Sequence, residues 1–303
     1  VTKVVSKRIR WRDALVAQVL SERQPPVVSS YWLALKVFQL TQLSHFDGRP
    51  LQVPERGPDQ RMFTDARNAL ISRGVLHQSK GLHPSLYRTS NEPQDAAELM
   101  CAIDPFGYVA YLSAMAYHGL TNRLPKVLYF VSPNPNLWKD LAQERMRKDL
   151  GSLYGDFVFT RLPRLRHFNI EKIDGVVIEE IRTKERRGWR SANDGALRVT
   201  GIGNTFLDML QRADICGGMR HVIDVFEEHA RLHLSSIVTA VNTHGSVIDK
   251  MRAGYILETH CGIDSPEVDA WAALASRGGS RKLDPQGEYS SEFSSKWCIS
   301  INV

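Results

Sequence analysis

Long apolar runs are missing from this chain: no window approaches the roughly eighteen uninterrupted apolar residues that a membrane-spanning helix needs. The basic start through Arg12 is followed only by Ala14 to Leu20, a stretch interrupted by Gln18 and without a small-residue cleavage site. A secretory signal is therefore not expected, and a cytoplasmic location is. Cysteine is scarce as well. Cys101, Cys216, Cys261 and Cys298 lie far apart with no C-x-x-C pair, which argues against a zinc knuckle and a disulfide framework and leaves buried free thiols.

The signatures of several enzyme classes are missing too. Gly201-Ile202-Gly203 lacks the third glycine and the preceding βαβ context of a dinucleotide loop, so it reads as a turn before a helix. Gly151-Ser152 followed by Asp156 has part of a nucleotidyltransferase pattern, but Val158 occupies the position of the second magnesium-holding acid. Asp174, Glu179 and Lys184 are not spaced to alternate onto one strand face, as a metal-dependent nuclease requires. His118 has no Ser, Cys or carboxylate at a committing distance in the sequence, and it reads as a helix-terminal residue at the negative end of a dipole. No catalytic residue, metal or cofactor is expected. A nucleic-acid-processing enzyme with its site in an α/β body is the alternative.

What is present is 303 residues, more than one ordinary core, and an uneven distribution of charge. Residues 1–90 carry 14 Lys and Arg against 6 Asp and Glu, whereas the remainder carries 25 against 27. A small basic domain on a near-neutral body is the electrostatic footprint of a phosphate-binding module.

Within the basic part, Trp11, Leu15 and Val19 mark a first amphipathic helix, closed by Pro25 and Pro26. Ser29 or Ser30 caps a second, in which Leu33, Val37 and Leu40 share a face until the Asp47-Gly48 turn. A third runs from about Pro58 to Gly74; Met62, Phe63, Ala66, Ala69 and Leu70 gather on one side of it, leaving Arg61, Thr64, Asp65, Asn68 and Ser72 opposite. A hairpin is expected next, with strands at Val75 to Gln78 and Leu82 to Thr89 about a Lys80-Gly81 turn. Three helices and a basic hairpin describe a winged helix-turn-helix, whose helix face would meet base edges while wing cations meet phosphates. The candidate DNA-binding residues are Arg61, Thr64, Arg67, Asn68, Lys80 and Arg88, and double-stranded DNA is the expected partner. Lys3, Lys7, Arg8, Arg10 and Arg12 form either an arm on the DNA or a solubilising tail. The structural reading to set beside this one is a winged helix used as a protein adaptor.

Ser90 to Gln94 is short, polar and broken by Pro93, which sets the expected division at 1–92 and 93–303. In the body, Leu112, Met115, Ala116 and Leu120 recur at helical spacing, Gly119 ends that helix, and Val127 to Val131 reads as a strand buried on both faces. Leu137 to Leu150 is a helix capped by Gly151; strands are expected at Phe157 to Arg161, Gly175 to Ile181 and Leu197 to Thr200. From Asn204 or Thr205, as a cap, the chain turns helical, with segments at Met219 to Ala230, Leu234 to Asn242, Val247 to His260 and Pro266 to Ser276 and a final strand at Trp297 to Val303. The basic run Arg182 to Arg190 reads as a solvated loop, with RNA contact through charge and Trp189 as its alternative. The fold class is α+β: an N-terminal winged helix-turn-helix, then an α/β domain with a helical second half.

Several ordered segments in residues 107–303 carry a resemblance. They are Ser113-Ala114 with His118-Gly119-Leu120-Thr121 and the strand after Pro125, VTGIGNTFLDMLQRADICGG, MRAGYILE and KWCISINV. Together they resemble the AbiE-type antitoxins of bacterial type IV toxin-antitoxin and phage-defence systems. Phe206 and Ala253 depart from that pattern where Leu is usual, as core changes. The resemblance implies a non-enzymatic transcriptional regulator whose winged domain represses its own operon at inverted repeats of operator DNA. It also implies that the C-terminal domain counters a cognate nucleotidyltransferase toxin, and it singles out Tyr255, Glu258 and Lys296, read first as structural hydrogen-bonders.

Overall fold

The computed structural model describes residues 7–90, 94–185, 187–276 and 281–303. The fold is mixed α+β, and the chain divides into two compact units. Unit 1 comprises Val1–Gly107 and Ser132–Val176; unit 2 comprises Tyr108–Val131 and Val177–Val303. Lys3, the expected boundary at 92/93 and Arg277 lie outside the described residues.

In unit 1 the first helix, α1, is Trp11–Ser21, and it buries Trp11, Leu15 and Val19 as their spacing requires. Ser29 ends the short strand Val27–Ser29 and caps α2, Ser30–Thr41, its side chain accepting the Trp32 N–H at 3.3 Å. That helix stops earlier than the sequence suggests. Past Leu40 the apolar repeat fails, Leu43 is exposed, and residues 45–52 form a hairpin (His45–Phe46 with Arg49–Gln52) about Asp47 and Gly48, both at positive φ. Asp59 then caps α3, Gln60–Ser72, accepting the Met62 N–H at 2.8 Å, and Met62, Phe63, Ala66 and Leu70 face inward. After α3 the expected wing strands shrink to a bridge between His77 and Arg88 and the three-residue strand Leu86–Arg88. This strand runs antiparallel to Val27–Ser29, with Val28 opposite Tyr87.

Unit 1 is completed by the returning segment Ser132–Val176. Asn134 caps the helix Pro135–Leu150, and Gly151 follows it at positive φ. The strand expected at Phe157 to Arg161 is instead the helix Tyr154–Phe159. Phe157 is 1% exposed and meets the rings of Tyr31 and Phe38 edge-on at 6.1 and 5.2 Å, while Phe159 is 90% exposed. Met146, Leu150, Phe157 and Leu162 share one apolar cluster with α1, α2 and α3. The compact units therefore divide the chain differently from a cut at 92/93, because the core under the first helices is completed by residues well beyond it.

The sheet of unit 2 has the strand order Trp189–Ala192, Leu197–Thr200, Tyr108–Val109, Val127–Pro133, Val176–Thr183. Val127–Pro133 is interior, as its apolar run implies, and pairs antiparallel with Tyr108–Val109 (Val109 opposite Phe130). The helix before it, Tyr111–Tyr117, closes on Gly119 at φ 68°, with the Leu120 N–H returning to Met115 O at 2.9 Å. Helices follow at Ile202–Gln211, Met219–His244, Val247–Tyr255 and Pro266–Ala272. The break expected after Ala230 does not occur, since Met219–His244 contains neither Gly nor Pro. Asn204 is not the expected cap: its Nδ2 donates to Gly188 O, and Gly201 holds the N-cap position. The terminal strand is reduced to Ile299–Ser300, paired with Phe293–Ser294. Cys101 and Cys216 are buried free thiols, whereas Cys261 and Cys298 are half-buried. Among the described residues no helix is long and apolar enough to cross a membrane.

Candidate nucleic-acid interface

The outward face of α3 gathers most of the residues expected there. Arg61 and Asn68 are exposed, and Thr64 and Arg67 are half-buried. The Thr64 hydroxyl donates to Gln60 O at 2.9 Å, so its bonding is partly satisfied within the helix. Arg67 donates from Nε and Nη2 to Asn68 Oδ1, each at 3.4 Å, which leaves the Asn68 amide N–H groups for an outside acceptor. Asp65, the acid on this face, is bonded to Arg12, and Asp13 is bonded to Arg73 at 2.7 Å. With these carboxylates matched, Lys7, Arg8, Arg10, Arg61 and Lys80 make no ion pair among the described residues. Such cations repel one another and attract a polyanion. The charge balance by unit agrees: unit 1 holds 22 Lys and Arg against 16 Asp and Glu, and unit 2 holds 17 of each.

Lys80 is exposed in the loop before Leu86–Arg88. Arg88 departs from its expected role. It is 7% exposed, and its Nη2 donates to Asp174 at 2.6 Å, so it is spent inside unit 1 and cannot meet a phosphate as a wing cation. A three-residue strand gives no sequence signal of which positions face inward, and Asp174 is too distant in sequence to advertise the pairing. That same bond occupies one of the acids weighed above for a nuclease.

Unit 2 holds its polar groups in tight structural contacts. His118, at the helix C-cap, has Nε2 2.7 Å from Thr200 O, and burial pushes its pKa below the ordinary value. Arg187, from the basic run read as a solvated loop, instead bonds the buried Asp208 and Gln211. Trp189 from that run is partly exposed, with Arg198 over its ring at 5.8 Å. Burial raises the Asp208 carboxyl to about 7 even though Arg187 opposes the shift. The motif segments near the end lock onto one another: Trp297 Nε1 donates to Glu258 at 2.6 Å, and Lys296 bonds both Glu258 and Asp269. Arg252 donates to Lys282 O at 2.9 Å. For Glu258 and Lys296 the structural reading therefore suffices.

No protein-family model matches the chain, and no curated protein matches it. Among solved structures, the chain is similar to the crystal structure of the RV2827C protein from Mycobacterium tuberculosis. The identity is 14% and the TM-score 0.45, with 98% of this chain and 94% of that one covered.

Proposed function

We propose that this protein is a DNA-binding antitoxin: unit 1 binds operator DNA and represses the operon, and a region within residues 93–303 counters a nucleotidyltransferase toxin. The observation that carries the DNA-binding reading is the outward face of α3, where, among the described residues, Arg61 makes no ion pair and the Asn68 amide N–H groups are left for an outside acceptor, together with an exposed Lys80 in the following loop. The element order supports a winged helix-turn-helix: α1, the strand Val27–Ser29, α2, α3, then the bridge at His77 and the strand Leu86–Arg88. A helix of this kind inserts in the major groove, where Arg bonds guanine and Asn bonds adenine bidentately, while Lys80 holds a phosphate. The hairpin at residues 45–52 occupies the connection between α2 and α3. The antitoxin half of the proposal rests on the ordered resemblance of residues 107–303 to AbiE-type antitoxins.

The test uses the full chain in cells carrying a reporter under the protein's own promoter and, separately, the neighbouring toxin gene under an unrelated promoter. Arg61→Ala and Lys80→Ala should each relieve repression while leaving rescue from the toxin intact. Repression that is unaffected by both variants would overturn the DNA-binding half. Failure of the well-expressed wild-type chain to rescue growth would overturn the antitoxin half.

A further inference from the structure

Unit 1 contains a cavity of about 340 Å³ that has no part in the interface above. Its deep wall is apolar and aromatic, formed by Trp138, Ala142, Met146 and Tyr154. Its mouth carries Lys139, Arg164 and Arg166, all exposed, and the lining contains no carboxylate. None of these three cations is bonded to an acid among the described residues. Arg164 Nη2 donates to Val158 O at 2.9 Å, and Arg166 is held against His83 at 2.7 Å with its guanidinium over Phe168 at 4.9 Å. Two cationic groups are thus fixed in place with donors to spare, and Lys139 is free to swing.

The aromatic wall is held just as firmly. Trp138, 4% exposed, donates Nε1–H to Asp104 at 3.1 Å and meets Phe106 and His167 edge-on at 5.2 and 5.6 Å. Gln143, also in the lining, offers an amide that both donates and accepts. An apolar aromatic wall, one amide and an uncompensated cationic mouth match a ligand with a flat ring at one end and an anion at the other. We infer that this cavity is a nucleotide site that takes a nucleoside phosphate, with the base against the Trp138 and Tyr154 side and the phosphate between Lys139 and Arg164. The volume lies at the low end of small-molecule pockets, which suits a mononucleotide better than a dinucleotide cofactor. The inference is independent of the DNA-binding reading, since it uses no residue of α3.

The experiment is isothermal titration of the full chain with AMP, CMP, GMP and UMP, alongside the parent nucleosides and inorganic phosphate. At least one nucleotide should bind with a dissociation constant below about 1 mM, and its nucleoside and inorganic phosphate should each bind at least about tenfold more weakly. Arg164→Ala and Lys139→Ala remove exposed side chains, so the fold should persist, and each should weaken the nucleotide by about tenfold. Lys148→Ala, exposed on the same helix but outside the cavity, should leave affinity unchanged. Three outcomes would overturn the inference: no nucleotide binding at about 1 mM, inorganic phosphate binding as tightly as any nucleotide, or Lys148→Ala weakening binding as much as Arg164→Ala.

Discussion

Two residues of unit 2 condense its physical chemistry. Gly254 lies under the Trp297 ring, where an added Cβ would fall 2.2 Å from Cζ3, and Trp297 is fixed by its bond to Glu258 and cannot step aside. Gly254→Ala should therefore destabilise the protein by about 2–3 kcal/mol through overpacking, read as a lower denaturant midpoint with the slope unchanged. Asp208 makes the complementary point about charge. Its folded pKa, about 7, lies above the ordinary 3.8, so between those values the folded state holds a proton that the unfolded state has lost. Its contribution is fully present below the lower value and is lost as pH rises through the higher one. Asp208→Asn should gain on wild type by on the order of 1–3 kcal/mol between pH 5 and pH 8, measured by denaturant unfolding at each pH. A gap between the two proteins that does not change with pH would show that Arg187 fully compensates the charge. One clue to this pair was legible: Asp208 interrupts the run Phe206, Leu207, Met209, Leu210, where a lone acid among inward-facing residues calls for a partner. That the partner is Arg187 was not legible, because neighbouring arginines in a basic run look alike until one of them is buried.

At the scale of elements, the sequence was readable where an apolar repeat extended over several turns of a helix or where an unbroken apolar run marked a buried strand. The three first helices, the helix ending at Leu150 and the interior strand from Val127 all follow that rule. Short elements escaped it. Tyr154–Phe159 offers too few residues to distinguish a helical period from an alternating one, and its identity is settled by Phe157 seating against Tyr31 and Phe38. The candidate interface divides in the same way: Arg61 and Asn68 follow from the period of α3, whereas the burial of Arg88 depends on a contact with Asp174 that no local pattern encodes. Phe157→Ala should cost about 3–5 kcal/mol as a large-to-small change in a closed core. Hydrogen exchange locates that loss: amides of α1 and α2 should lose protection, and unchanged protection there would mean that the returning segment does not support the first helices.

At the scale of the whole molecule, the chain leaves unit 1 after Gly107 and returns to it at Ser132, so a core that looks N-terminal in sequence is completed from the middle of the chain. A fragment ending at residue 92 lacks Met146, Leu150, Phe157 and Leu162 and should melt well below the full chain by circular dichroism, with a broad transition. Function is for that reason best examined in the intact protein. The formal charge of +6 resides in unit 1, which is where a polyanion should bind. The measurement that bears most directly on this account is fluorescence anisotropy of the full chain on two duplexes, one selected from a random pool by the protein itself and one of unrelated sequence, over a range of salt. Affinity for both should fall steeply with salt as phosphate neutralisation releases counterions. Arg61→Ala and Asn68→Ala should each lose about 1–3 kcal/mol on the selected duplex and little on the unrelated one, and Lys80→Ala should weaken both alike. No binding by the wild-type chain at low salt, or equal losses on the two duplexes for all three variants, would contradict the assignment of α3 as the element that reads DNA.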